Sequence, residues 1–179
     1  LSFAEISKED IVFEIGPGLG AFTEYLIEKS KYVYGFEIDS QLCKILKKRF
    51  GHYKNFNLIE TDFLQTDENF WRDFERVKVI GNTPYYLSSP IVFHILKFSQ
   101  KIDISLLTVQ KEVGEKFVAC PGNKNYGPIS VLLSLYTNSK ICYSLKKDVF
   151  FPKPEVESVA VKIIPLKEPK IEVEKKFWE

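Results

Sequence analysis

Ile11-Val12-Phe13-Glu14-Ile15-Gly16-Pro17-Gly18-Leu19-Gly20 is the stretch that decides the architecture. Its first five residues are mostly β-branched and aromatic and read as a buried strand, which the glycines then break. Phe22, Leu26 and Ile27 follow at helical spacing, with Thr23, Glu24 and Glu28 on the opposite side. A strand that turns through glycines into a helix lets backbone approach a ligand and presents helix N–H groups to it. Gly16 and Gly18 with Ala21 match the G-x-G-x-x-G/A fingerprint of a nucleoside-cofactor crevice, and Glu37 follows at a spacing suited to ribose hydroxyls. A plain tight turn is the bland alternative. The spacing does not choose between a nicotinamide dehydrogenase and an S-adenosylmethionine methyltransferase.

The pattern repeats downstream. Residues 32–36 read as a second strand ending in Glu37-Ile38-Asp39, with Ser40 expected to cap a helix carrying Leu42, Ile45 and Leu46. Residues 56–59 form a third strand, followed by Asp62-Phe63-Leu64, and residues 77–80 a fourth. Ser89-Pro90 opens a helix through Ile91, Ile95 and Phe98, and residues 104–109 are a fifth strand. This alternation implies right-handed βαβ units. Helices at 111–118 and 129–136 and strands at 141–145 and 156–164 complete the expected α/β fold. It is a mostly parallel, seven-stranded, Rossmann-like sheet with helices on both faces.

In such a sheet the carboxyl ends of the strands face the ligand crevice. The fourth strand runs out into Asn82-Thr83-Pro84-Tyr85, a set suited to holding a planar amino-substituted ring. Asn82 offers a side-chain carbonyl acceptor, Pro84 fixes its own φ and restricts Thr83, and Tyr85 offers a stacking face. Asp62, just past the third strand, can accept from an exocyclic amine, although a lone Asp there also makes an ordinary cap. Four successive strand ends thus carry ligand-suited residues.

Composition narrows the class. The chain is 45% hydrophobic and 27% charged with net charge +1, which is globular and does not announce nucleic acid by charge alone. Lys44, Lys47, Lys48, Arg49 and Lys54 crowd one stretch, as a solvated helix face or a phosphate contact. Three widely spaced cysteines argue against a disulfide framework or a zinc site and favour a cytoplasmic setting. Two histidines leave little material for metal or Ser-His-Asp chemistry, and no metal is expected. No apolar run approaches the roughly 18 residues of a membrane span. The chain begins at Leu1 and has no Met, so it is expected to be an internal fragment.

The ordered set of motifs resembles the ribosomal RNA small-subunit adenine dimethyltransferases of the KsgA/RsmA type. The match runs through Glu14-Ile15-Gly16-Pro17-Gly18-Leu19-Gly20, Phe36-Glu37-Ile38-Asp39, Asp62-Phe63-Leu64 and Gly81-Asn82-Thr83-Pro84-Tyr85. It continues through Val109-Gln110-Lys111-Glu112-Val113, Tyr126-Gly127-Pro128 and Phe150-Phe151-Pro152-Lys153-Pro154-Glu155. The resemblance implies S-adenosylmethionine as co-substrate. Gly16 and its loop would meet its methionine part, Glu37 its ribose and Asp62 its adenine, with Gly18, Ile38, Phe63 and Asn82 completing the cofactor-binding set. Asn82 would lie between cofactor and target base, with Pro84, Tyr85 and Phe150 completing the catalytic set and the two aromatics walling the base. The implied reaction is N6,N6-dimethylation of adenines in small-subunit rRNA on a pre-30S-type particle, by a monomer. Alternatives are the macrolide-resistance type acting on large-subunit rRNA, and a noncatalytic assembly or transcription factor. The resemblance further implies a catalytic domain over 1–166, lacking the family's N-terminal segment, and over 167–179 a linker with the start of a helical domain. Thr83 stands where the family usually has Leu or Ile.

Overall fold

The computed structural model describes residues 1–83, 85–149 and 155–171, the side chains of Tyr85 and Val149 excepted. The strands are β1 Ile11–Ile15, β2 Tyr32–Glu37, β3 Phe56–Glu60, β4 Val77–Asn82, β5 Ile102–Gln110, β6 Thr137–Leu145 and β7 Ser158–Pro165. The helices are α1 Thr23–Lys29, α2 Ser40–Phe50, α3 Glu68–Arg72, α4 Ser88–Lys97, α5 Lys111–Phe117 and α6 Pro128–Tyr136. The sheet order is β3-β2-β1-β4-β5-β7-β6. Pairing is parallel from β3 across to β5, and β7 runs antiparallel to both of its neighbours. After β1 the chain adds strands on one side, then returns to place β4 on the other. The crevice of such a sheet opens at this reversal, outside the ends of β1 and β4.

Side-chain alternation along each strand builds two cores, one per face. Phe13, Val79, Leu107 and Val161 enter the larger with Trp71 of α3, Ile95 of α4, Phe117 of α5 and Leu133 of α6. Val12, Val33, Ile80 and Leu106 enter the smaller with Leu26 of α1 and Leu46 and Phe50 of α2. The seven-stranded sheet and its two helical layers match the sequence expectation.

Three local details differ. The cap of α2 is Asp39 rather than Ser40: its carboxylate accepts from the backbone N–H groups of Gln41 and Leu42 at 2.7 and 3.2 Å. The helix α3 was not expected, because five residues are too few to show a period. Asp67 caps it, and Trp71 anchors it by stacking on Phe98 at 4.7 Å. Strand β6 starts at Thr137, directly after α6 and earlier than the apolar pattern suggested, since its polar first residues pair with β7 alone.

The apolar strand β4 carries a buried lysine. Lys78 donates to the Glu5 carbonyl oxygen and to the Asp10 carboxylate at 3.0 Å. Lys162 of β7, also buried, meets the Glu5 carboxylate at 2.6 Å. Glu5 sits in the left-handed region at φ 52°. The two lysines therefore fasten the first ten residues across the smaller-core face of the sheet.

Candidate functional site

The glycine turn begins where β1 ends. Gly16 lies at φ +62°, a conformation that L side chains rarely adopt, and a Cβ built there would stand 3.9 Å from the Asn82 carbonyl oxygen. The ends of β1 and β4 are thus neighbours across the reversal. The Gly16 N–H donates to the Phe36 carbonyl at 2.9 Å, which ties the turn to the end of β2. Gly20, at φ +86°, packs so closely on α2 that a Cβ would fall 2.3 Å from the Phe50 ring.

Glu37 joins the turn from the other side. Its buried carboxylate accepts from the Gly18 N–H at 3.1 Å through Oε2 and from the Ile38 and Asp39 N–H groups at 3.0 Å each through Oε1. An ionised carboxylate has about four acceptor positions, so capacity remains on Oε2 for a hydroxyl. Ile38 beside it is 73% exposed, a large apolar side chain left open at the rim. Asp62 uses Oδ1 to cap the short 3-10 turn Phe63–Gln65, accepting from Leu64 N–H at 2.9 Å, and Oδ2 stays outside that bond. Phe63 differs from its neighbours. Its ring is buried against Phe36 and His94, so only its backbone is free to meet a ligand.

Asn82 is exposed at the end of β4, while Thr83 turns inward and its hydroxyl donates to the Thr108 carbonyl at 3.2 Å. That bond pins the start of the motif to β5. Tyr85 opens a 3-10 turn, Tyr85–Leu87, that leads into α4. Pro84 and Phe150, with Phe151 beside it, lie outside the described residues, as does the Tyr85 ring. The structure therefore brings Gly16, Gly18, Glu37 and Asn82 around one reversal and puts Asp62 at the next strand end. The residues present fit a nucleoside bearing an amino acid chain: a glycine cradle, a carboxylate with spare acceptor capacity, an open apolar Ile38 and a second carboxylate.

One residue of the site escaped the sequence reading. Glu14 lies in β1 directly beneath the turn, almost fully buried, and accepts the Thr23 hydroxyl at 2.7 Å. Burial pushes its carboxyl up to about 7; the Thr23 hydrogen bond opposes this and the Glu37 charge adds to it. A carboxylate interrupting an apolar strand was the available signal. Two members of the basic stretch of α2 are committed to neighbours. Arg49 donates to the Leu19 carbonyl and lies 3.9 Å from Glu24, and Lys47 reaches Glu60 at 3.4 Å. Among the described residues no group of three or more His, Cys, Asp or Glu side chains is placed to hold a metal ion.

Comparisons with known proteins converge. The family profile described as "Ribosomal RNA adenine dimethylase" matches residues 1–179. The chain is 42% identical over 173 residues to "Ribosomal RNA small subunit methyltransferase A" of Clostridium botulinum (strain Langeland), covering 95% of this chain and 62% of that protein. It is similar to the crystal structure of a dimethyladenosine transferase from Plasmodium falciparum, with TM-score 0.81 and 32% identity over 92% of this chain and 58% of that one. It is also similar to the 23S rRNA methyltransferase ErmE, with TM-score 0.84 and 25% identity over 96% of this chain and 68% of that one. The chain spans about three-fifths of the length of the curated relatives it matches.

Proposed function

This chain belongs to the ribosomal RNA adenine dimethylase family, with the Rossmann-like methyltransferase fold, and we propose that it is the catalytic part of an S-adenosylmethionine-dependent enzyme. The proposed reaction transfers methyl groups to N6 of adenines in small-subunit rRNA, on a pre-30S-type particle in the cytoplasm, with the protein acting as a monomer. Among the described residues no helix is long and apolar enough to cross a membrane. The proposed division is a catalytic domain over 1–166, with 167–179 as linker and the first part of a helical domain.

The observation that carries this reading is the apposition of Gly16 and Asn82 across the sheet reversal, with Glu37 and Asp62 on the next two strand ends. S-adenosylmethionine supplies an electrophilic methyl group on a sulfonium. The residues named here supply position. Gly16 and Gly18 leave room for the amino acid chain, Glu37 accepts from ribose hydroxyls beside Ile38, and Asp62 and the Phe63 backbone read the adenine. The amino nitrogen of the target adenine is a poor nucleophile, because its lone pair is delocalised into the ring. The Asn82 side-chain oxygen and the Pro84 carbonyl accept its two hydrogens and turn that lone pair toward the methyl group. Such orientation supplies on the order of 7–11 kcal/mol of a two-reactant barrier. Tyr85 and Phe150 stack on the extruded base and offset its unstacking, at roughly 1–3 kcal/mol per contact. No general base is required before transfer, since the proton leaves to water afterwards.

Methyl transfer from labelled S-adenosylmethionine to unmodified small- and large-subunit particles tests the proposal. Labelling of small-subunit adenines is expected. Exclusive labelling of the large subunit would assign the chain to the other branch of this chemistry, and full activity of Asn82→Ala would favour a noncatalytic role for the motif.

A further inference from the structure

His94 takes no part in the chemistry above, yet it joins two halves of the site. It lies on α4, the helix entered directly from the connection that follows Asn82, but its hydrogen bond reaches back to the turn after β3. Its Nε2 stands 2.7 Å from Thr66 Oγ1. The same hydroxyl oxygen lies 2.8 Å from the Phe63 carbonyl oxygen and 3.0 Å from Trp71 Nε1.

Three contacts therefore meet at one hydroxyl, which has a single proton and two lone pairs. The indole N–H of Trp71 only donates, and the Phe63 carbonyl only accepts. The Thr66 proton thus goes to Phe63, and the third contact is a hydrogen bond when His94 Nε2 carries a proton. A neutral imidazole protonated on Nε2 satisfies all four groups at once. Burial, with Lys97 adding to it and Asp62 opposing, holds the His94 pKa down to about 4, so the ring is neutral at ordinary assay pH. The imidazole also packs edge-on to Phe63, with ring centres 5.1 Å apart, and Phe36 meets the same ring edge-on at 5.3 Å.

We propose that His94, acting through Thr66, is a positioning residue for the Asp62–Phe63 turn and hence for the adenine end of the cofactor. This rests on the reading of Asp62 and Phe63 as the adenine subsite. The 3-10 turn after Asp62 is three residues long and has little stiffness of its own. Its Phe63 carbonyl is held twice by Thr66, through the backbone N–H at 3.1 Å and through the hydroxyl. His94 and Trp71 orient that hydroxyl from α4 and α3. Because α4 continues from the segment that holds the target base, the same bond links the target side of the crevice to the base of the cofactor.

The test is calorimetric titration of the chain with S-adenosylhomocysteine and with its 6-oxopurine analogue, S-inosylhomocysteine. The variants are His94→Gln, His94→Leu, Thr66→Val and Asp62→Ala. His94→Leu and Thr66→Val are expected to weaken the adenosyl ligand on the order of tenfold, the scale of one buried hydrogen bond, and the inosyl ligand much less. The preference between the bases therefore narrows. His94→Gln, which retains an N–H donor at similar reach, keeps the wild-type preference. If His94→Leu lowers the melting temperature but leaves both affinities and their ratio unchanged while Asp62→Ala weakens binding, His94 is merely structural and the inference is wrong. If Asp62→Ala changes nothing, or the wild-type chain binds neither ligand, the adenine-subsite reading itself falls and takes the inference with it.

Discussion

Replacing Glu14 by Gln should make this protein more stable at alkaline pH. Glu14 is buried to 2% exposure beneath the glycine turn, and the one hydrogen bond described for its carboxylate comes from the Thr23 hydroxyl. Its carboxyl is pushed from an ordinary 4.5 to about 7. Between those values the unfolded chain has released a proton that the folded chain keeps. The stabilisation from this raised carboxyl is fully present below pH 4.5 and is lost as pH rises through about 7. At 1.36 kcal/mol per pKa unit, the ionised carboxylate costs the folded state roughly 3 kcal/mol well above pH 7. Gln keeps an oxygen for the Thr23 hydroxyl and never ionises. Urea or thermal unfolding followed by circular dichroism from pH 4.5 to 8.5 should show the two proteins similar at the acid end. At pH 8.5 the variant should be ahead by up to about 3 kcal/mol, on the order of 6–12 °C for a domain of this size. His94, held near 4 by burial, has the opposite sign: its contribution is present above 6.5 and is lost as pH falls toward 4. It is common to both proteins and cancels in the difference. A cation bound over the turn favours the carboxylate, so saturating S-adenosylmethionine should narrow the gap. A stability difference that does not change across this range would refute the argument.

Asp10→Ala removes the carboxylate 3.0 Å from the nearly enclosed Lys78 ammonium, leaving the Glu5 carbonyl as the hydrogen-bond acceptor described for it, and should cost about 3 kcal/mol in chemical denaturation. Gly20→Ala puts a methyl carbon 2.3 Å from the Phe50 ring at φ +86°, and a loss of about 1–3 kcal/mol is expected by the same method. Thr83→Val removes the hydroxyl that binds the Thr108 carbonyl at 3.2 Å, and should lower stability by about 1 kcal/mol. Asn82→Ala should lower kcat at least about a hundredfold, the scale at which misplacement of a reacting group acts, and weaken S-adenosylhomocysteine binding far less than that.

The alternation of strands and helices was legible because it depends on near neighbours. β-branched runs, glycine breaks and apolar spacing act over a few residues, and they suffice to place seven strands and the glycine turn. The short helix α3 and the start of β6 were not legible: α3 is held by the stacking of Trp71 on Phe98, and β6 begins in polar residues that pair with one neighbour. The candidate site divides the same way. That Gly16, Glu37, Asp62 and Asn82 end successive strands can be read along the chain. That Glu37 is bonded to Gly18, that Phe63 turns its ring into the core, and that Glu14 is driven toward neutrality are consequences of packing. Lys78 shows the limit most plainly. Within its own apolar strand it reads as an interruption, and only the fold brings Glu5, 73 positions away, to receive it. Secondary structure is encoded in local periods, whereas burial, charge state and hydrogen-bond partnership depend on distant segments that meet only once the sheet is assembled.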